Sequence, residues 1–228
     1  MNTSGHWYAS QAKINPDLFR VIFDFNRRPQ YWLHPEVVAG LPQAKVVRVL
    51  SQGTHGQSHL SSWLLQTLQL DDCEGVWDFE EIPRRLALLS PATLERLACF
   101  TGAALCWPRI SAIIGKQQIQ ELKANLGEET HAFALRRARM IVPESETFPA
   151  QENVSLTDQV HSLGWDVLIS ATNDGAEGLR RRLLLKLPLK MQAKVTQPLP
   201  QDQREKAWQR VRQINREVLT LGEMKCFA

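Results

Sequence analysis

The most constraining stretch of this chain is Ser90 to Leu105. Ser90 and Pro91 supply an N-cap followed by a proline at the first helical position, and Leu94, Leu97, Ala98, Thr101 and Leu105 then recur at three- and four-residue steps. That spacing predicts an α-helix with an apolar stripe, and such a stripe must be covered by further elements. The chain beyond it is repeatedly punctuated. Pro108 interrupts or restarts the helix, Gly115 is placed to end a segment holding Ile110, Ile113 and Ile114, and Gly127 to end one holding Ile119, Leu122 and Leu126. Glu128 to Met140 reads as another helix, with acids in its first turn and Arg136, Arg137 and Arg139 in its last, the polarity that the helix macrodipole favours; Pro143 closes it.

The remaining segments extend the same reading. Asn15 and Pro16 can open a helix through Leu18 to Phe23, Arg27 to Pro42 is a packed irregular crossing, and Ser51 to Ser58 is a turn before a short helix carrying Leu60, Trp63, Leu64 and Leu68. Ser155 or Thr157 can cap a helix bearing Val160, Leu163, Val167 and Leu168, which Asn173-Asp174-Gly175 closes. From Ala176 to Leu189 the leucines fit both a helix and an alternating strand, so we read a helix passing into an extended end near 183–189. Gln201 to Leu221 is a final helix with Trp208, Val211, Ile214, Val218 and Leu219 on one side. The expected class is therefore all-α, a compact domain of many short helices. Its expected organisation is a flexible N-terminus over 1–14, a helical domain over 15–190 with a candidate subdomain break at 143–155, a linker over 191–200 and a C-terminal helix within 201–228.

At 228 residues the chain is long enough to bury a core without staples. Its longest uninterrupted apolar run is Ala103 to Trp107, far short of the roughly 20 residues of a spanning helix. The first 13 residues lack the apolar region of a secretory leader. A cytoplasmic location is expected, with Cys73, Cys99, Cys106 and Cys226 as reduced, structural thiols.

Motifs for chemistry are weak. His55 and His59 stand four apart, as zinc-binding pairs do, but the Glu of the zinc-protease motif is missing, Gly56 disfavours helix there and no third ligand is near, so a polar turn is expected. The cysteines form no Cys-x-x-Cys pair. Gly102-Ala103-Ala104 and Gly115-Lys116-Gln117 lack the second glycine and the Gly-Lys-Ser/Thr end of a phosphate loop, and no Gly-x-Ser-x-Gly elbow exists. No metal, cofactor or catalytic residue is assigned, although acid and base groups converging only in three dimensions would leave no such trace.

Charge is more informative. The net +3 is too small to indicate a nucleic-acid footprint by itself. Residues 1–114 hold 10 basic and 10 acidic side chains, residues 115–228 hold 17 and 14. Asp71 to Glu81 carries six acids and no base, interleaved with Val76, Trp77 and Phe79. Arg180, Arg181, Arg182, Lys186, Lys190 and Lys194 form a basic block, and Arg204, Lys206, Arg210, Arg212 and Arg216 decorate the last helix. The basic residues read either as solvated helix faces or as a dock for an acidic protein surface, and the acidic loop either as a partner-binding loop or as one whose rings anchor it to the core. The candidate partner-binding residues are Trp77, Asp78, Phe79, Glu80, Glu81, Arg181, Arg182, Lys186 and Trp208.

The run Leu94-Glu95-Arg96-Leu97-Ala98, Thr101 to Leu105, Ile110 to Gly115, Leu122 to Glu129 and Phe133 to Ala138 resembles the SctK family (YscK, PscK and relatives) of bacterial type III secretion systems. Trp165 to Ala171 with Leu179 to Pro188 is similar to that family's second block, and Asn15 to Leu41 to its Phe/Trp-rich opening. The resemblance implies a helical, non-enzymatic, cofactor-free protein of the sorting platform beneath the injectisome. It further implies an adaptor bridging the cytoplasmic domain of the inner-membrane ring protein SctD to the pod protein SctQ, with SctL and the secretion ATPase reached indirectly and the membrane reached only through SctD. No nucleic-acid partner is implied. The rival readings are a helical enzyme, which predicts a deep pocket with perturbed titratable groups, and a nucleic-acid-binding protein acting through the last helix.

Overall fold

The computed structural model describes residues 3–71, 75–195 and 198–227. Cys73, the loop acids Asp72 and Glu74, linker residues Thr196 and Gln197, and the terminal residues Met1, Asn2 and Ala228 lie outside them. The class is all-α, with no strand among the described residues. The α-helices are, in chain order, α1 Thr3–Ile14, α2 Pro16–Arg27, α3 Pro35–Gly40, α4 Ala44–Gln52, α5 Gln57–Thr67, α6 Pro91–Leu105, α7 Trp107–Ser111 and α8 Lys116–Leu126. They continue as α9 Glu128–Phe133, α10 Arg139–Ile141, α11 Leu156–Thr172, α12 Glu177–Lys186, α13 Leu189–Gln192, α14 Gln201–Val218 and α15 Leu221–Met224. No helix among the described residues is long and apolar enough to cross a membrane.

Local chemistry explains most boundaries. Asn15 caps α2 by accepting the Leu18 amide at 3.1 Å, and the Ser155 hydroxyl accepts the Asp158 amide at 3.0 Å to start α11. Gly127 closes α8 at φ 87°, a left-handed value that costs glycine little. Several places differ from the sequence reading: the crossing over Arg27 to Pro42 holds the short helix α3, which Pro35 opens at its first position, and α13 runs into the expected linker as far as Gln192. Residues 3–14 are helical, because Trp7 and Tyr8 give this polar segment an apolar anchorage: the Tyr8 ring stacks on Phe19 at 4.5 Å. Gly115 caps the start of α8 instead of ending a helix; α7 stops at Ser111, which leaves Ile114 91% exposed. The Glu128 to Met140 helix is interrupted by a π turn over Ala134–Ala138. The expected extended end amounts to Leu187 and Pro188, because a residue before proline is driven out of the α region and α13 starts immediately afterwards.

The chain forms two compact units. The first takes the chain as far as Pro91, then Thr172–Pro198, and the terminal stretch from Leu221; the second comprises Ala92–Ala171 and Leu199–Thr220. Leu18, Ile22 and Phe25 of α2, Leu60 and Leu64 of α5, Trp32, Phe79 and Leu179 pack the core of the first unit. Phe25 sits at its centre, 5.5 Å from the Trp32 ring and edge-on to Phe79 at 5.6 Å. Cross-links in the same unit run from the His34 amide to Leu185 O at 2.9 Å and from the Leu189 amide to the Glu36 carboxylate at 2.8 Å.

In the second unit α6 and α11 cross at backbone contact. A Cβ on Gly102 would sit 1.8 Å from the Val160 carbonyl oxygen, and one on Gly164 would sit 1.8 Å from that of Ala98. The 143–155 segment belongs to this unit and is tied down there: the Phe148 amide donates to Leu105 O at 3.1 Å, and the Gln159 side chain donates to Pro149 O at 2.7 Å. The Trp107 indole donates to Val142 O at 3.0 Å just before it. On α14, Ala207, Val211, Ile214 and Val218 are buried.

Candidate docking surfaces

The acidic loop is held by one asparagine. Asn26, buried on α2, donates from Nδ2 to Val76 O at 2.6 Å and accepts the Val76 amide on Oδ1 at 2.7 Å, so a side-chain amide replaces the backbone partner that this extended segment lacks. Phe79, fully buried, locks the loop's other end against Phe25. Trp77 is half-buried; its ring meets Tyr8 at 4.8 Å and lies beneath the Arg27 guanidinium at 5.9 Å.

Arg84 organises the carboxylates. Its Nη1 donates to Asp78 Oδ2 at 3.1 Å and to Asp78 O at 3.2 Å, its Nε pairs with Asp174, and Glu81 stands at 4.0 Å. Asp78 also accepts the Glu80 amide at 2.9 Å. Glu80 and Glu81 are therefore the outward acids of this edge, both exposed.

The basic block is less available than its composition indicates. Glu177 binds Arg181 Nε at 2.7 Å and Arg180 Nη2 at 2.8 Å, and these hydrogen bonds, Arg181's first, hold its carboxyl below the usual range. Arg181 also donates to Gln69 O at 3.4 Å. Arg182 is 2% exposed and donates to Gly178 O at 3.2 Å. Lys186 is 0% exposed, donates to Ala87 O, and lies over the rings of Phe25 at 5.2 Å and Trp32 at 5.8 Å. Burial drives its pKa down to about 7. Phe79 and Lys186 thus have places inside the first unit, and Arg182, nearly as buried, reaches only the wall of a hollow.

Among the sequence-selected residues, Trp77 through Glu81 and Arg181, Arg182 and Lys186 all fall in the first unit, whereas Trp208, half-buried on α14, falls in the second. Trp77 and Arg182 line one shallow hollow together with Asn26, Arg27 and Asp71. Arg84 further ties Asp78 to Asp174, three residues before α12. The acidic loop and the start of the basic block are therefore neighbours. Lys206, Arg212 and Arg216 on α14 are exposed, as is Lys190 on α13. Asn26 and Arg84 escaped sequence reasoning; the pair Arg84-Arg85, set directly after an acidic run, was the available signal.

Among the described residues no three His, Cys, Asp or Glu side chains cluster in a metal-holding arrangement, and His55 instead meets Thr54 Oγ1 at 3.1 Å.

A search of curated proteins finds no match. Among solved structures the chain is similar to one described as the cytoplasmic domain of the T3SS sorting platform protein PscK from P. aeruginosa, with 20% identity, a TM-score of 0.54, and coverage of 87% of this chain and 94% of that one. At that identity the likeness establishes the shared fold. The family model for YOP proteins translocation protein K (YscK) matches residues 21–227, nearly the whole length, and the chain therefore belongs to the YscK family.

Proposed function

We propose that this protein is a non-enzymatic adaptor of a type III secretion sorting platform, bridging the cytoplasmic domain of the ring protein SctD to the pod protein SctQ at the cytoplasmic face of the inner membrane. The family match over residues 21–227 carries this reading. The solved structure that shares the fold, described as a T3SS sorting platform protein, supports it. An adaptor needs two faces that different partners can occupy together. Two faces of opposite sign support that reading: the acidic edge of Glu80 and Glu81 beside Trp77 in the first unit, and the Arg212 and Arg216 face of α14, which follows Trp208 at four-residue steps, in the second. Charge of opposite sign also gives each partner a reason to reject the other's site.

The test uses the purified full chain with the SctD cytoplasmic domain and with SctQ. Glu80→Lys/Glu81→Lys is expected to abolish binding of one partner and Arg212→Glu/Arg216→Glu that of the other, with the three-component complex lost in both cases. Unchanged binding of both partners by both variants overturns the assignment of these faces. Failure of the wild-type chain to bind either partner overturns the adaptor reading.

A further inference from the structure

One face of the first unit is left over after these assignments. On α2, Arg20, Phe23 and Arg27 follow one another at three- and four-residue steps and share one side of the helix; all three are exposed, Phe23 to 39%. On α5, Ser58, Ser61, Ser62 and Leu65 share one side by the same spacing. The two sides face each other across an open trough that Phe23, Arg27, Arg28, Ser58, Ser62 and Leu65 all line. At one end the trough continues past Phe23 and Arg28 over Phe19 and Arg20. At the other it passes Arg27 and Leu65 into the hollow beside Trp77.

The chemistry of the lining is selective. Its rim is arginine: Arg20, Arg27 and Arg28 along α2 and just beyond it. Asp24 is the acid between them, and Arg28 Nη1 holds it at 3.2 Å. The α5 wall adds no opposing charge, since residues 37–70 contain neither Asp nor Glu. The guanidinium groups lie over rings, Arg28 at 5.5 Å from Phe23 and 5.9 Å from Tyr31, Arg27 at 5.9 Å from Trp77. A guanidinium over a ring retains N–H groups that can donate to a carboxylate. Between the arginines, Phe23 and Leu65 provide apolar contact and the serines a hydroxyl-bearing wall.

We infer that this trough docks an acidic segment of a partner protein, a stretch with carboxylates on either side of an apolar anchor. The apolar centre selects a side chain over a bare phosphate backbone, and the arginine rim selects carboxylates at its flanks. The inference does not depend on which platform component carries the segment, nor on the adaptor reading.

The test places the photo-crosslinking residue p-benzoylphenylalanine at Ser62 of the full chain, in cells that express the secretion apparatus, and identifies the captured peptide by mass spectrometry. A peptide of net negative charge from another protein is expected, its yield falling about tenfold with Arg20→Glu/Arg27→Glu and partly with Arg20→Gln/Arg27→Gln, while Lys45→Glu/Arg48→Glu, exposed on α4 away from the trough, leaves it unchanged. Thermal melts of the variants distinguish lost docking from lost folding. Capture of no protein, of RNA or phospholipid alone, of a peptide without net negative charge, or at undiminished yield after charge reversal overturns the inference. Binding of SctD and SctQ, measured separately, can survive that result.

Discussion

Lys186 shows how far a residue's role departs from its composition class. Its ammonium is enclosed by Phe25, Trp32 and the Ala87 carbonyl, and Cys226 bears on it with a charge that opposes the shift. Burial lowers its pKa to about 7, against 10.5 in an exposed lysine. Between those values the unfolded chain binds more protons than the folded one, so the lysine's contribution to stability falls as pH drops towards 7 and recovers as pH rises towards 10.5. Lys186→Met is expected to remove that dependence: the stability difference between wild type and variant, from urea melts, should change steadily from pH 7 to pH 10, with wild type gaining on the variant. The buried thiols Cys99 and Cys106, raised by burial, act in the opposite sense and equally in both proteins. A constant difference across the range would place the ammonium in contact with water. The sequence held a signal for this that a charge count conceals. Leu179, Arg182, Leu183 and Lys186 are spaced as one helix face, and all four are buried; two leucines on that face identify it as the core side, and the cations on it are enclosed with them. The exposed members of the acidic loop, by contrast, were legible because Trp77 and Phe79 interrupt the acids and only a loop held by its rings accommodates that mixture.

Among the elements, α6 and α11 carry the tightest constraint. Ala98 and Gly102 on one helix meet Val160 and Gly164 on the other, each pair four residues apart, and each glycine abuts the backbone of the opposite helix. An added methyl at either position has no space and can be accepted only by moving the helices apart, which also loosens the packing of the residues around the crossing. Gly102→Ala and Gly164→Ala are each expected to lower stability by about 3 kcal/mol, and the double variant by less than the sum because the first separation makes room for the second. Chemical denaturation of the three proteins checks both statements; a loss below about 0.5 kcal/mol, as for an ordinary surface substitution, would refute the close crossing. The helix α6 is readable from its cap and stripe, yet nothing in the sequence marks Gly102 as a point of close helix approach. Close approach is a property of two helices far apart in the chain, and no local pattern reports it. The π turn at Ala134–Ala138 was hidden for a related reason: one extra residue in a turn leaves the charge polarity of the helix intact, so the end signals still read correctly.

At the scale of the whole molecule the connectivity is interleaved, and composition carries no sign of it. The chain leaves the first unit after Pro91, returns at Thr172, leaves again after Pro198 and comes back at Leu221. A count of charge along the sequence merges faces that belong to different units, which is why the basic block at 180–194 and the basic face of α14 read as one region. The final return packs its last turn against α2 and the 3-10 segment Ile82–Leu88 and is held by polar contacts. Lys225 Nζ pairs with Asp17 at 2.8 Å, Asn15 Nδ2 donates to Lys225 O at 3.5 Å, and Arg85 Nη1 donates to Cys226 O at 3.3 Å. The Lys225–Asp17 pair is exposed and contributes little by itself. Arg85 matters more, since it is buried and also donates to Phe79 O at 2.8 Å, so the Cys226 carbonyl and the base of the acidic loop share one guanidinium. Ending the chain after Thr220 is therefore expected to weaken the unit that lies earlier in sequence. Hydrogen exchange should accelerate in α2, in the 75–81 loop and in the 3-10 segment Ile82–Leu88, while α6 and α11 keep their protection. Accelerated exchange confined to α14, the helix immediately before the cut, would instead make the last residues a simple extension of the second unit and reverse the assignment of the C-terminus.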